Sequence, residues 1–331
     1  MLIHIGYHKT ASTALQEHVF GDPATGFARW GEDRRLAHPW LVCHSPLAPL
    51  PDEVRGALLR LDAEAQAQGK CFVVSHERLS GYYATGGFDS AAIARRLAAA
   101  FPEARILVVV REQRSMLESF YSQYVSDGGV LPFGKLMRPM AQDLLRAPGF
   151  DPDFLRYDRL VALYRELFGG DRVLVLPFEL LKARPGEFVR RIGAHCGLEI
   201  AEQRFAKGLP RTNERRSILL QELVRQLNRL QRGQLNPGGL TERLPVHRAA
   251  NELSKRLSGA VDALTPGFLS RAILARRRGR IGELAASRYA ESNAELERLT
   301  GLSLAEWGYD LPPTSIEARL AAEPKVTRAA R

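Results

Sequence analysis

The sequence predicts an α/β fold: a mostly parallel central sheet with helices on both faces and a helical cap toward the C-terminal end. Three observations carry this expectation. Short apolar runs alternate with helical patterns through the first half of the chain, from Leu2 to Leu176. These runs are continuously apolar, as in strands covered on both faces, and do not alternate as a half-solvated strand would. From about Glu187 onward the pattern is almost wholly helical, which adds a layer without adding strands.

Taken in order, Leu2 to Gly6 reads as a strand, and Ser12-Thr13-x-x-Gln16 resembles a capping box opening a helix with Leu15 and Val19 on one face. Residues 21–51 are rich in Pro and Gly with scattered aromatics and read as irregular. A helix over about Pro51 to Gln68 leads into the strand Cys71 to Val74. The alanine-rich helix Ser90 to Ala100 is stopped by Phe101-Pro102, and Arg105 to Val110 forms the next strand. Helices over about Arg114 to Ser126 and Tyr157 to Phe168 then precede the strand Arg172 to Leu176. Gln203 to Ser217 is a polar, basic loop candidate, and helices follow near Ile218 to Arg232, Val246 to Leu257 and Tyr289 to Leu299. Pro312-Pro313 ends regular structure. The division expected is an α/β core over 1–200, a helical cap over 201–312 completing the same domain, and a flexible tail over 313–331.

With 331 residues and 45% hydrophobic content the chain can bury a sizeable core. Cys43, Cys71 and Cys196 are odd in number, far apart and outside any C-x-x-C pair, which argues against a disulfide framework and a zinc site. His4, His8 and Lys9 interrupt the N-terminus at once, so no export signal is read. The longest aliphatic run, Ile106 to Val110, falls far short of the roughly 20 residues a membrane span needs. A soluble, cytoplasmic protein is expected. The net charge of +10 favours polyanionic ligands, anionic membrane surfaces or nucleic acid without choosing among them. An arginine-rich excess of this kind also follows from a GC-rich genome.

Two strand-to-helix junctions carry the chemistry. In His4-Ile5-Gly6-Tyr7-His8-Lys9-Thr10-Ala11-Ser12-Thr13, a loop leaves a strand and enters a helix, a setting whose unpaired amides receive an oxyanion. Lys9 adds a charge, Thr10, Ser12 and Thr13 add hydroxyls, and Ala11 is small enough for close approach. In the second junction, Val108-Val109-Val110-Arg111 is followed eight residues later by Ser119, which places a second cation and hydroxyl at a strand end. A ligand with two separated anionic ends is implied. The phosphate loop of a nucleoside triphosphatase does not fit, since no glycine precedes Lys9 and Gly6 stands only three positions upstream. The strand end also offers Arg111 where such enzymes place a magnesium-binding aspartate.

These residues resemble the sulfotransferases that use 3′-phosphoadenosine-5′-phosphosulfate (PAPS), especially bacterial members related to carbohydrate sulfotransferases. Lys9-Thr10-Ala11-Ser12-Thr13 looks like the family's phosphosulfate loop, and Arg111 with Ser119 looks like its 3′-phosphate pair. Phe178-Glu179 and the stretch from Tyr289-x-x-x-Asn293 to Trp307-Gly308-Tyr309 look like further family segments, so the likeness covers about residues 1–312. The family's usual glycine is replaced by Ala11, which costs backbone freedom if a positive φ is needed there.

The resemblance implies a P-loop-like phosphosulfate loop and in-line sulfuryl transfer from PAPS to a hydroxyl or amine acceptor, a saccharide or other bacterial metabolite, with no metal required. Lys9 would stabilise charge on the bridging oxygen as the bisphosphate leaves. Family members place a histidine or a glutamate base after the second buried strand, so His76 and Glu77 are both eligible by resemblance, with Glu77 preferred because Ser75 to Ser80 follows the bacterial carbohydrate-type pattern. The plain alternative is that Glu77 caps a helix start or pairs with Arg78. Arg211, in the basic run Arg211 to Arg216, would close over the nucleotide or else begin a solvated helix. His8 is placed along the nucleotide loop, and a metal pair of His4 and His8 is disfavoured because they lie on a strand and a loop with no carboxylate beside them. Arg276 to Arg280 is a solvated face or an attractor of acidic polymers or a membrane surface. The competing readings are an ATP-dependent small-molecule kinase and a non-catalytic polyanion-binding protein; no aromatic interleaving supports nucleic acid.

Overall fold

The structure is a computed structural model and describes residues 1–30, 38–138, 148–210, 217–241 and 267–313. The chain begins with β1 (Leu2–His4), whose loop enters α1 (Ser12–His18), and returns as the short strand β2 (Phe27–Arg29). Next come α2 (Asp52–Ala67), β3 (Cys71–Ser75), α3 (Ser90–Ala100), β4 (Arg105–Val110) and α4 (Gln113–Ser126). A single turn, α5 (Phe133–Leu136), precedes α6 (Tyr157–Phe168), β5 (Val173–Pro177), α7 (Phe178–Ala183) and α8 (Pro185–His195). The C-terminal part is helical: α9 (Ile218–Asn228), α10 (Gly267–Ala285) and α11 (Ala290–Thr300).

All strand pairings are parallel, in the order β2-β3-β1-β4-β5. β1 is therefore central, with β3 on one side and β4 on the other. The loops after β1, β3 and β4 leave the same edge of the sheet and diverge there, the place where open α/β sheets bind ligands.

The uninterrupted apolar strands explain the two layers. Ile3, Ile5, Phe72, Val74, Ile106, Val108 and Val110 face one side, where α2, α3, α4, α6 and α11 contribute to the core. Their alternates Leu2, Val73, Leu107, Val109 and Leu176 face α1, α7 and α8. A strand that feeds both layers has no polar face to spare, which is why its sequence reads as a solid block.

Local signals fix the helices that matter for the site. α2 opens with Asp52 and Glu53, favourable against the helix dipole. α4 is capped by Glu112, whose carboxylate accepts the Arg114 and Ser115 amides at 2.8 Å each. That cap residue directly follows Arg111 and fixes the start of α4 at Gln113.

Three expectations need correction. The irregular stretch 21–51 contains the strand β2, paired with β3 through Phe27↔Cys71 and Arg29↔Val73. Three residues among Pro and Gly are too few to show a periodicity. Ser12 and Gln16 do not form a capping box: Ala11 is the cap residue, and the Gln16 amide crosses to Ser75 on β3. A third long helix, α10, lies in a part of the cap for which no helix was expected. The helix expected over Val246 to Leu257, and the tail beyond residue 313, lie outside the described residues.

The C-terminal segment locks onto the start of α4. Buried Asn293 accepts from Gln113 Nε2 at 2.6 Å and donates to the Asp310 carbonyl at 2.8 Å, while Arg114 pairs with the Asp310 carboxylate at 2.6 Å. Replacing Asn293 with Ala removes the shorter of two hydrogen bonds from the buried Gln113 amide and the partner of the half-buried Asp310 carbonyl, so Asn293→Ala is expected to cost about 2–3 kcal/mol. Urea unfolding of the two proteins measures it, and a loss below half a kcal/mol would mean that water replaces the bonds.

Candidate functional site

The loop after β1 holds an unusual backbone. Lys9 and Ala11 sit at φ 68° and 64°, in the left-handed region that side chains disfavour. Gly6 at φ 25° is required for space as well, since a Cβ there would fall 2.8 Å from His4 Nε2 and 3.0 Å from Ser12 Oγ. The loop thus turns tightly over the His4 ring. α1 has only seven residues, so its dipole is short and the loop must act through local groups.

Thr10 is fully buried, and its hydroxyl donates to the Tyr7 carbonyl at 2.5 Å. That bond closes the loop on itself, so Thr10 stiffens the turn. Ser12 is buried, and among the described residues its Oγ has no hydrogen-bond partner. Thr13 is exposed at the loop's rim. The Lys9 ammonium reaches Gln123 Oε1 on α4 at 3.5 Å.

Beneath the loop, both Gln16 amide protons go to Ser75, one to its carbonyl at 3.0 Å and one to Oγ at 2.9 Å. The Ser75 hydroxyl also shares a hydrogen bond with His4 Nδ1, 2.8 Å away. His4 Nε2 and His8 Nε2 are buried with no hydrogen-bond partner among the described residues. Burial pulls both histidines down to about 4, against an upward pull from Glu77.

Arg111, at the end of β4, joins the two junctions. Its Nη1 donates to the Lys9 carbonyl at 3.1 Å and its Nε to Ser115 Oγ at 2.9 Å. The guanidinium lies 5.1 Å from the Phe178 ring centre, and Tyr157 Oη donates to the Arg111 carbonyl at 2.6 Å. Burial lowers the Arg111 value, and Glu179 opposes the shift. Glu179, raised by its own burial, accepts the Glu112 amide and the Tyr309 hydroxyl, both at 3.2 Å.

The serine that Arg111 bonds is Ser115, one turn before Ser119 on α4. Ser119 is half-buried on the same flank of the helix, four residues further on. The sequence reading missed that Ser115, Ser119, Gln123 and Asp127 recur every four residues opposite the apolar face of Met116, Leu117, Phe120 and Tyr124. That polar stripe was the available signal.

After β3, His76 caps the short helical turn Glu77–Ser80, its Nδ1 accepting the Arg78 amide at 3.1 Å. Arg78 pairs with Asp89 at 3.0 Å and lies 4.5 Å from the Tyr82 ring centre. The cap of this turn is thus His76, and Arg78 forms an ion pair with Asp89. Glu77 acts electrostatically on His4, His8 and His38. His8 packs 5.2 Å from Tyr83, whose hydroxyl donates to Asp127 at 2.6 Å. Glu77, His8 and the Tyr82-Tyr83 pair thus stand beside the Lys9 loop.

Arg211 lies outside the described residues. In the basic run 276–280, Arg277 turns inward to Gln221 at 2.8 Å and over Tyr121 at 4.7 Å, while Arg276 and Arg278 are exposed. Among the described residues no three His, Cys, Asp or Glu side chains are grouped to hold a metal, and no helix is long and apolar enough to cross a membrane.

Residues 58–202 match the family model described as the sulfotransferase family. That span runs from α2 past α8 and holds Glu77, Arg111 and Ser119, but not the loop 5–13. A crystal structure of a sulfotransferase from Alicyclobacillus acidocaldarius is 19% identical, covering 75% of this chain and 98% of that one at a TM-score of 0.43. No curated protein matches the chain.

Two outcomes follow from this geometry. Ala11→Gly is expected to stabilise the protein by about 0.5–1 kcal/mol, relief of left-handed strain exceeding the glycine entropy cost, as read from denaturant midpoints. A fall in stability would show that φ at residue 11 is not positive in solution. For His4, the folded value of about 4 lies below the unfolded 6.5, so the unfolded state binds more protons in that window and stability falls as pH drops from 6.5 toward 4. The loss from this ring reaches about 2 kcal/mol at pH 5, and His8 acts in the same direction. Urea curves at pH 7.5 and 5 for wild type and His4→Gln test this, because an equal pH dependence in both would remove His4 as the cause.

Proposed function

We propose that this chain, a sulfotransferase-family protein over residues 58–202, moves a sulfuryl group from PAPS to a hydroxyl or amine acceptor, a saccharide or another small metabolite. The observation that carries the reading is the hydrogen bond from Arg111 to the Lys9 carbonyl, which makes one site of two junctions about a hundred residues apart in sequence. A donor with a phosphate at each end suits such a site. The 3′-phosphate would meet the Arg111 guanidinium and the Ser119 hydroxyl. The phosphosulfate end would meet Lys9, Ser12, Thr13 and the amides of the loop at Ala11, with Thr10 stiffening the turn. Arg211 would close the nucleotide side.

In the transfer, the acceptor oxygen or nitrogen forms a bond to sulfur while the bond from sulfur to the bridging oxygen breaks. The electron pair leaves with 3′-phosphoadenosine-5′-phosphate, where Lys9 offsets the charge. The acceptor's proton passes to Glu77, with His76 the alternative base. The scheme calls for no metal, and a cytoplasmic setting would supply the donor. Arg111 at the end of β4, where a kinase would hold magnesium through a carboxylate, disfavours ATP as the donor.

Calorimetric titration with 3′-phosphoadenosine-5′-phosphate and with AMP tests the donor. Wild type should bind the bisphosphate at least tenfold more tightly than AMP, and Arg111→Ala should lose that preference. Equal affinity for the two nucleotides in the wild type would refute a 3′-phosphate site. With a competent acceptor, Glu77→Gln should lower turnover by about 10²–10⁴ at unchanged bisphosphate affinity. Full activity in that variant together with an inactive His76→Gln would transfer the role to His76.

A further inference from the structure

A polar cleft of about 320 Å³ opens next to this site, lined by Tyr82, Asp127, Gln234 and Leu235. Its volume is that of a small-molecule pocket. Its position is set by two routes. Gln123 accepts from the Lys9 ammonium at 3.5 Å and donates to Asp127 at 2.7 Å, so the cleft wall is one side chain removed from the lysine. On the other side, Asp127 accepts from Tyr83 at 2.6 Å, and Tyr83 packs on His8 beside Glu77.

The walls are held in place. The Tyr82 amide donates to Asp89 at 2.9 Å, and Arg78 covers the Tyr82 ring. Both Asp127 oxygens accept hydrogen bonds, as an ionised carboxylate does. Gln234 and Leu235 belong to the turn Gly233–Asn236 after α9, closed by the Asn236 and Gly233 amides at 3.1 and 3.0 Å. Arg78 is already paired with Asp89, so among the lining groups Asp127 sets the sign of the charge.

Resting on the sulfuryl-transfer reading, we infer that this cleft is the acceptor subsite and that Asp127 is its specificity-determining residue, admitting uncharged or amine-bearing glycosides and rejecting anionic ones. The tyrosine hydroxyl, the carboxylate and the amide offer partners for vicinal sugar hydroxyls or an ammonium. A uronate or an already sulfated sugar would bring like charge against Asp127.

The test uses ligand-observed NMR affinities for three probes, methyl glucoside, methyl glucosaminide and methyl glucuronide, with no donor present. Wild type should bind the first two at least tenfold more tightly than the glucuronide. Asp127→Asn should reduce that discrimination by about tenfold, and Leu235→Trp, which narrows the cleft while leaving the Asp127 side chain unchanged, should abolish binding of all three. Thermal unfolding checks that both variants are folded. Glucuronide binding as tight as the others, no binding of any probe by the wild type, or full binding by Leu235→Trp would overturn the assignment. A parallel bisphosphate titration separates the two readings: glycoside binding without bisphosphate binding retains the cleft and removes the donor, and the reverse removes the cleft alone.

Discussion

The site depends on where one guanidinium is held. Arg111 leaves a strand that is buried on both faces, and its carbonyl, Nε, Nη1 and planar face are each engaged, by Tyr157, Ser115, the Lys9 carbonyl and Phe178. A lysine at this position would reach one of these partners at a time, because its ammonium is a point donor without a planar fork. Glu179 completes the arrangement by holding the next amide, that of Glu112, while Glu112 caps α4. The same few residues thus set the cation's position and the direction of the helix that faces the first loop.

That loop is costly to fold. Two left-handed non-glycine residues, and the neutral rings of His4 and His8 with buried nitrogens lacking partners, all lie within eight residues. Strain and unsatisfied polar atoms concentrated in one turn are offset by its surroundings: Thr10 ties the turn to Tyr7, and Gln16 and Ser75 hold His4 from below. A loop already held in a tight turn, with Ser12 Oγ lacking a hydrogen-bond partner among the described residues, has little further freedom to lose.

Much of this was legible in the sequence for physical reasons. The strands Cys71–Ser75 and Arg105–Val110 show as solid apolar blocks because both their faces are covered, and Ser90–Ala100 ends where Pro102 forbids continuation. The sign of φ at Ala11 was raised as a question by the absence of glycine, and the structure answers it as positive. What was not legible depends on partners distant in sequence. Gln16 looked like a cap because its local spacing fits one, yet Ser75 competes for its amide from the neighbouring strand. The Thr10 bond to the Tyr7 carbonyl likewise was not legible, because the turn that brings the two within reach is set by the backbone. The sheet edge β2 is three residues long and carries no period at all.

The polar flank of α4 runs the length of the helix and reaches both junctions. Ser115 stands at Arg111, Ser119 follows, Gln123 meets Lys9, and Asp127 lines the neighbouring cleft. With a rise of 1.5 Å per residue the stripe extends about 18 Å from first to last. A helix is the suitable element for this, since its rise does not vary with what is bound, whereas a loop would leave each distance to be set separately. The apolar face of the same helix, with Met116, Leu117 and Phe120 fully packed, anchors it in the core. The clamp on its first turn by Asn293, Asp310 and Glu179 sets its axial position. The spacing between the two cationic corners of the site is therefore a property of the core, and substitutions that shift α4 should disturb both corners together.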